Sequence, residues 1–371
     1  MINIAHPLIG EEEKRAVLEV LDSGMLAQGP RVAEFEAAFA ALCGVKYAVA
    51  TSSGTTALHT ALLAHGIGDG DEVITSSFTF IASANSVLYS GARPVFTDID
   101  EATFNLDPDL IEAAITEKTK AIMPVHLFGM SSDMEAIRAI ARKHKLVVIE
   151  DACQSHGASF QGQRVGSFGT GCFSLYPTKN MTSAEGGMIT SNDETFDAEC
   201  RIVRQHGMRT RYYHDDLGFN FRMTDVHAAI GLAQLKKLPD FNAARQRNAA
   251  FYSEHLTGVI TPQLMEGADH VYHQYTIRVP EGRRDAMLEH LKENGIGCGV
   301  YYPVPVHQQN YYTRELGYDQ SLPATEKIAR EVLSLPVHPA LSPADLEQVV
   351  DAVNSFEVVA VSLALRRPLS A

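Results

Sequence analysis

Seven short β-rich runs separated by helical stretches fill residues 45–190, and this rhythm restricts the fold of the 371-residue chain more than any other feature. The runs are VKYAVAT (45–51), EVITSS (72–77), PVFTDI (94–99), AIMPV (121–125), LVVIED (146–151), CFSLY (172–176) and GMITS (187–191). Several lack polar–apolar alternation, the pattern of strands buried on both faces. Between them, Asp107-Pro108 reads as an N-cap followed by proline at the first helical position. Ser132-Asp-Met-Glu135 reads as a capping box ahead of AIRAIARKH. This β-α-β alternation predicts an α/β fold with a mostly parallel sheet flanked by helices. After Thr224 the pattern changes to helices over 224–237 and about 243–256, with Pro239-Asp240 between them. A smaller α/β unit follows: strand YTIRV (275–279), helix 284–294, strand GVYYP (299–303) and two terminal helices, the last opening at Ser342-Pro343-Ala-Asp345. A boundary near 240 gives a large domain, 1–240, and a small C-terminal α/β domain, 241–371.

Composition excludes several classes of function. Lys plus Arg number 31 against 45 Asp plus Glu, a formal net charge of −14, which argues against a general nucleic-acid binder. One local pocket can still oppose the global sign and take a small anion. The five cysteines form no CxxC pair, as expected of reduced thiols in a cytoplasmic protein and not of a disulfide framework or a zinc site. MINIAHPLIGEEEKR lacks a basic start followed by an apolar core, so no secretory leader is expected. The apolar stretch VVAVSLAL (358–365) is far shorter than the roughly 20 residues that span a bilayer, so a tail element packed on the body is expected and no membrane partner.

Three segments carry chemistry. Glu150-Asp151 ends the buried run LVVI, and in open α/β sheets the carboxyl ends of strands face the ligand. A carboxylate there usually meets a cation. Mg²⁺ would need a GxxxxGK[ST] loop, a nicotinamide would need GxGxxG after an early strand, and the chain has neither. A simple helix cap fits Asp151 equally well when the segment is taken alone. SSGTTAL (52–58) sets small residues and free backbone N–H groups at the start of a helix, an arrangement that suits an anion and also reads as a plain cap. In CFSLYPTKNMTSAEGGMITS (172–191), Lys179 follows Asp151 by 28 residues and is flanked by small and apolar residues. A lone lysine is normally a solvated surface charge. Burial would lower the pKa of this one and make its amine nucleophilic. An anion cup, a carboxylate and a desolvated lysine after strands of one sheet are together the set pyridoxal 5′-phosphate (PLP) requires, with no metal.

The sequence resembles the DegT-type family of nucleotide-sugar aminotransferases, which are fold type I PLP enzymes. The resemblance runs from Ile4 to Phe356 and rests on SSGTTAL (52–58), SFTFIASANSV (77–87), HLFG (126–129), IEDACQSHGA (149–158), GCFSLYPTKNMTSAEGGMI (171–189) and LGFNFRMTDVHAAIGLAQL (217–235). It implies that Lys179 holds the cofactor as a Schiff base and then moves the substrate proton, and that Asp151 partners the pyridinium nitrogen. It implies that Gln154 sits beside the ring oxygen and Phe80 on the ring face, often Trp in relatives. Gly54, Thr55 and Ser174 match phosphate contacts, and Asn220 matches one donated by the neighbouring subunit of a homodimer with shared active sites. His156 lies in the same loop, where a structural role is expected.

One subgroup of the family replaces the lysine by His and dehydrates at C3; Lys179 favours transamination. Thr182-Ser-Ala-Glu185-Gly-Gly resembles the version in enzymes acting on 4-keto sugars. The resemblance thus implies transfer of an amino group, with L-glutamate the expected donor, to a keto carbon (C4 favoured) of a nucleotide-linked keto-deoxy sugar. A 3-keto sugar, or another PLP-dependent transamination or elimination, is the alternative. A non-catalytic PLP-binding sensor is the remote one, since it would call for an output module. The basic aromatic loop Gln205–His214, with Arg211, could meet a diphosphate or be a solvated loop. Arg222, and His307 in the segment YYPVPVH, are candidate substrate contacts.

Overall fold

The structure, a computed structural model, describes the backbone of residues 1–365 and the side chains of residues 1–356. Its centre is a seven-stranded sheet formed by the seven β-rich runs. In chain order these are β1 (Tyr47–Thr51), β2 (Glu72–Ser76), β3 (Arg93–Thr97), β4 (Thr119–Met123), β5 (Val147–Asp151), β6 (Thr170–Ser174) and β7 (Gly187–Ser191). Across the sheet the order is β1-β7-β6-β5-β4-β2-β3. All neighbours from β6 to β3 are parallel, while β7 runs antiparallel to both β1 and β6. The register sets Asp151 opposite Cys172 and Ser174 opposite Gly187. The carboxyl ends of β5 and β6 therefore lie side by side at one edge, with the return into β7 beside them.

Helices cover the sheet: α1 (Glu11–Ser23), α2 (Pro30–Cys43), α3 (Gly54–Ala64), α4 (Ala82–Tyr89), α5 (Met134–His144) and α6 (Glu194–Arg204). Apolar clusters lie between sheet and helices, one built on Phe35, Phe39 and Phe173, another on Leu58, Leu62, Val73 and Ile149. Two local signals are realised differently from the sequence reading. Asp133, not Ser132, caps α5, accepting from the Ala136 amide at 3.0 Å, because the Ser132 hydroxyl is spent on the Val125 carbonyl at 3.0 Å. Asp107-Pro108 opens only a 3₁₀ turn, Pro108–Leu110.

The break expected at Pro239-Asp240 does not occur. One helix, α7 (Asp225–His255), runs through it with Pro239 inside. An interior proline costs about 3 kcal/mol. Two cores hold α7 against that cost: Leu238 is buried in the cluster of the large sheet, and Ala249 and Tyr252 in a cluster formed with Tyr275, Leu333 and Val353. We propose the division 1–240 and 241–371 as a division between these cores and not between elements. Beyond α7 come β8 (Tyr275–Arg278), α8 (Arg284–Glu293), α9 (Asn310–Arg314), α10 (Pro323–Glu331), β9 (Val332–Leu335) and α11 (Pro343–Leu365). The expected strand GVYYP is irregular apart from a bridge between Gly299 and Ser334. β9 takes the place beside β8, and Tyr301 and Tyr302 pack instead against the cluster of Phe78, Phe104 and Phe128. Ser342 and Asp345 cap α11 reciprocally, as read from sequence. How the side chains of VVAVSLAL pack lies outside the described residues. Among the described residues no helix is long and apolar enough to cross a membrane, and no group of three metal-ligating side chains forms.

Strand alternation separates Glu150 from Asp151. Glu150 is fully buried; its carboxylate accepts from His126 Nε2 at 3.0 Å and from the amides of Gly166, Phe168 and Gly169 at 2.7–2.9 Å. Because the Ser132 amide donates to His126 Nδ1, the His126 proton sits on Nε2. Glu150 is thus the knot of the loop before β6. Glu150→Ala strands two buried donors, His126 and the Gly166 amide, and two half-buried amides, and should lower unfolding free energy by about 3–5 kcal/mol in urea titrations followed by circular dichroism. A loss under about 1 kcal/mol would show that the loop does not depend on it.

Candidate active site

A cavity of about 400 Å³ opens at the carboxyl ends of β5 and β6. Its wall includes Ser53, Gly54, Thr55, Phe80, Asp151, Gln154, Ser174 and Lys179. Seven of the ten residues named from the sequence therefore converge on one hollow.

Lys179 stands in the loop between β6 and β7, its amide donating to the Tyr176 carbonyl at 3.0 Å. The next residue fixes the loop: Asn180 Nδ2 donates to Asn242 Oδ1 of α7 and to the Val271 carbonyl, both at 2.8 Å. The half-buried lysine side chain lies between the cavity and a smaller hollow behind it. Burial pushes its pKa down, and only the nearby Cys153 and Asp151 pull it back up. The direction favours the neutral, nucleophilic amine.

Asp151 is 4% exposed, with its backbone tied by its amide to the Pro124 carbonyl at 2.9 Å and by its carbonyl to the His126 amide at 3.0 Å. Ser83 Oγ donates to Oδ2 at 2.6 Å and the Cys153 amide to Oδ1 at 3.2 Å. Gln154 Oε1 accepts from the Phe128 amide at 2.8 Å, and its Nε2 donates to the Tyr302 hydroxyl at 3.1 Å, leaving one Nε2 proton for a ligand. Phe80 is 55% exposed although it lines the cavity, with its ring centroid 6.0 Å from that of Tyr302. The ring is a wall with one open side.

At the start of α3 the Ser53 hydroxyl takes the Thr56 amide at 3.1 Å and the Ser53 carbonyl takes the Ala57 amide at 3.0 Å. The amides of Gly54 and Thr55, the remaining first-turn donors, have no intrahelical acceptor and border the cavity. Residue 54 must be glycine, since a Cβ would stand 2.6 Å from Ser174 Cβ and 3.0 Å from Cys153 Sγ. That close approach of helix to strand makes a cup of two amides at a positive helix end. An anion cup, a buried fixed carboxylate and a shielded amine around about 400 Å³ fit PLP.

The other three sequence candidates do not line this cavity. Asn220 is exposed, its backbone bridged to Gln205, and Arg222 is half-buried. His307 is 2% exposed, its Nδ1 2.6 Å from Ser77 Oγ, so the protein interior claims the ring. The Gln205–His214 loop forms an exposed hairpin in which the Arg211 guanidinium lies 5.0 Å from the Tyr212 ring centroid. His156 is buried against Phe39 and Phe173; burial above all, then the charge of Lys179, lowers its pKa to about 3, so it is neutral and structural. Sequence reasoning missed Ser83, Tyr302 and His273 in the wall. Ser83 and Tyr302 lie inside segments already singled out, three residues after Phe80 and five before His307. His273 had no signal, being one of 15 histidines.

The DegT/DnrJ/EryC1/StrS aminotransferase family matches residues 7–354. A Geobacillus stearothermophilus protein named "Pleiotropic regulatory protein" is 46% identical over 353 residues, 93% of this chain and 94% of its own. The GDP-perosamine synthase of Caulobacter vibrioides is 44% identical, covering 96% and 98%. The UDP-N-acetyl-3-dehydro-alpha-D-glucosamine 3-aminotransferase of Acidithiobacillus ferrooxidans is 43% identical, covering 91% of each chain. Among solved structures, S. venezuelae DesV in complex with a ketimine intermediate superposes with a TM-score of 0.90 at 41% identity, covering 93% of this chain and 94% of that one. The chain belongs to the DegT/DnrJ/EryC1/StrS aminotransferase family: it has the fold type I architecture and is a PLP-dependent transaminase.

Proposed function

We propose that this family member moves an amino group from L-glutamate to the C4 keto carbon of a nucleotide-linked keto-deoxy sugar, in the cytoplasm, as a homodimer with shared sites. The observation that carries the reading is the meeting of Lys179, Asp151 and the first amides of α3 around one cavity. When bound, PLP supplies the electron sink that lets an amino group leave one carbon and join another. The residues divide the remaining work. The Gly54 and Thr55 amides, with Ser174, would take the phosphate. Phe80 would cover one ring face, and Gln154 would offer its free Nε2 proton to the ring oxygen. Asp151 would hold the proton on the ring nitrogen. Lys179 Nζ would anchor the cofactor and move the proton at the substrate carbon, as general base and general acid in turn.

The relatives named for GDP- and UDP-linked sugars support a nucleotide sugar as acceptor. The segment Thr182–Gly187 after Lys179 favours C4. The Acidithiobacillus relative, named a 3-aminotransferase, favours a second reading at C3. Membership of an aminotransferase family, with relatives named as sugar-aminating enzymes, speaks against a sensor without turnover. The test is a screen of the purified enzyme with glutamate against UDP-, GDP- and dTDP-linked 4-keto and 3-keto sugars. Mass spectrometry reads amination, and NMR reads its position. A 4-amino product with 2-oxoglutarate released is expected. A 3-amino product moves the assignment to C3, and no amination of any nucleotide sugar removes the substrate class.

A further inference from the structure

Thr79 and Ser83 form a directed hydrogen-bond chain ending on Asp151, and we propose that this chain sets the orientation of the Asp151 carboxylate toward the cofactor nitrogen. Ser83, and Thr79 through it, are then positioning residues for the transamination. The inference rests on the reading of Asp151 given above.

The three groups are nearly sealed from solvent, at 3%, 1% and 4% exposure for Thr79, Ser83 and Asp151. Thr79 Oγ1 lies 2.9 Å from Ser83 Oγ, and Ser83 Oγ lies 2.6 Å from Asp151 Oδ2. Proton counting fixes the direction. A carboxylate only accepts, so the single Ser83 proton goes to Oδ2. Ser83 Oγ must then accept from Thr79. The Phe80 carbonyl, 3.2 Å from Ser83 Oγ, is the longer and weaker alternative for that proton.

The terminal torsion of an aspartate is broad and roughly two-fold, so β5 alone does not fix which way its oxygens face. Two donors on different oxygens do: Ser83 on Oδ2, and the Cys153 amide on Oδ1 at 3.2 Å. The backbone delivers both. Cys153 stands two residues after Asp151, and Ser83 enters α4 one turn after Phe80, its amide donating to the Phe80 carbonyl at 3.2 Å. A single turn therefore carries the aromatic wall of the cavity and the hydroxyl that holds the carboxylate. The plane of the ring face and the direction of the carboxylate are set by one rigid unit.

The test compares Ser83→Ala, Ser83→Cys, Ser83→Thr, Thr79→Val and Asp151→Asn, each loaded with PLP labelled with ¹⁵N in the ring. For Ser83→Ala we expect a displaced ring-nitrogen resonance and a kcat lower by about tenfold to a hundredfold, the scale of a lost charge-assisted hydrogen bond. The KM for the amino donor should stay within about twofold, because no substrate contact is touched. Equilibrium dialysis of the apoprotein should show weaker cofactor binding. Ser83→Thr should restore the resonance, and Thr79→Val should shift it in the same direction by less. Ser83→Cys keeps the volume with a poor donor and gives the same readout if the alanine variant folds badly. A wild-type resonance and kcat in both Ser83→Ala and Ser83→Cys, beside a displaced resonance in Asp151→Asn, would overturn the positioning role and leave the reading of Asp151 standing. An undisplaced resonance in Asp151→Asn would remove that reading and the positioning chain with it.

Discussion

Lys179→Ala is expected to cut transaminase turnover by about a thousandfold or more, since it removes both the covalent anchor and the group that moves the substrate proton. Some PLP should remain, held without a covalent bond by the α3 amides and Asp151. In the wild type, borohydride should fix the cofactor to the peptide that carries Lys179, and labelling at Lys145 or Lys236 instead would sink the assignment. The apoprotein offers a second readout. Burial holds the Lys179 pKa below its ordinary 10.5, so the unfolded chain binds this proton more tightly than the folded one. Stability therefore rises with pH between the folded pKa and 10.5, and at lower pH the fold carries the cost of the buried charge. Lys179→Met keeps much of the packing and deletes the charge. Its apoprotein should melt higher than wild type at neutral pH, by a margin that shrinks as pH climbs toward 10.5. A margin that does not change with pH would mean that Lys179 is as well solvated folded as unfolded.

The parts of the site legible in the sequence are those whose chemistry depends on position along one strand or one turn. LVVIED ends a buried strand, so Asp151 had to reach a sheet edge. SSGTTAL starts a helix against a strand, and Gly54 is there because a Cβ would strike Ser174. The hidden parts depend on contacts between distant segments. Ser83 reaches Asp151 across 68 residues, and Tyr302 reaches Gln154 across 148. His307 is a candidate substrate contact because its segment resembles one near the sugar site in the family; the segment does border the cavity, through Tyr301 and Tyr302, yet the His307 ring turns inward to Ser77. Pro239 misled for a different reason. Local propensity argues for a break, and burial of Leu238, Ala249 and Tyr252 in two cores outweighs it. Asp225, the first residue of that helix, ties it to another: its carboxylate accepts from the amides of Gly29, Arg31 and Val32 at 2.8–3.2 Å, capping α2 across nearly 200 residues, which no local window of sequence reveals.

Co-expression of two inactive variants should restore activity if each site is built by two chains. Asn220 is exposed and lies outside the cavity wall of its own chain, beside Phe219 and Phe221, whose rings stack at 4.8 Å. The Phe221 carbonyl accepts from the Ser52 amide at 2.8 Å, which fixes the segment on the body. A polar side chain held out on a rigid surface suits donation to a neighbour, and a two-fold interface would repeat that donation twice. Asn220→Glu should inactivate strongly by setting a carboxylate against the partner's bound phosphate, and Lys179→Ala inactivates its own chain. In a mixed dimer one site then carries both lesions and the other neither. Random pairing makes half of the dimers mixed, so about a quarter of wild-type activity should return. Both parents must first be shown nearly inactive, and two-tag pull-down must recover the mixed species. Mixed dimers as dead as their parents would place Asn220 and Lys179 in the same chain's site, and the shared-site reading would be wrong.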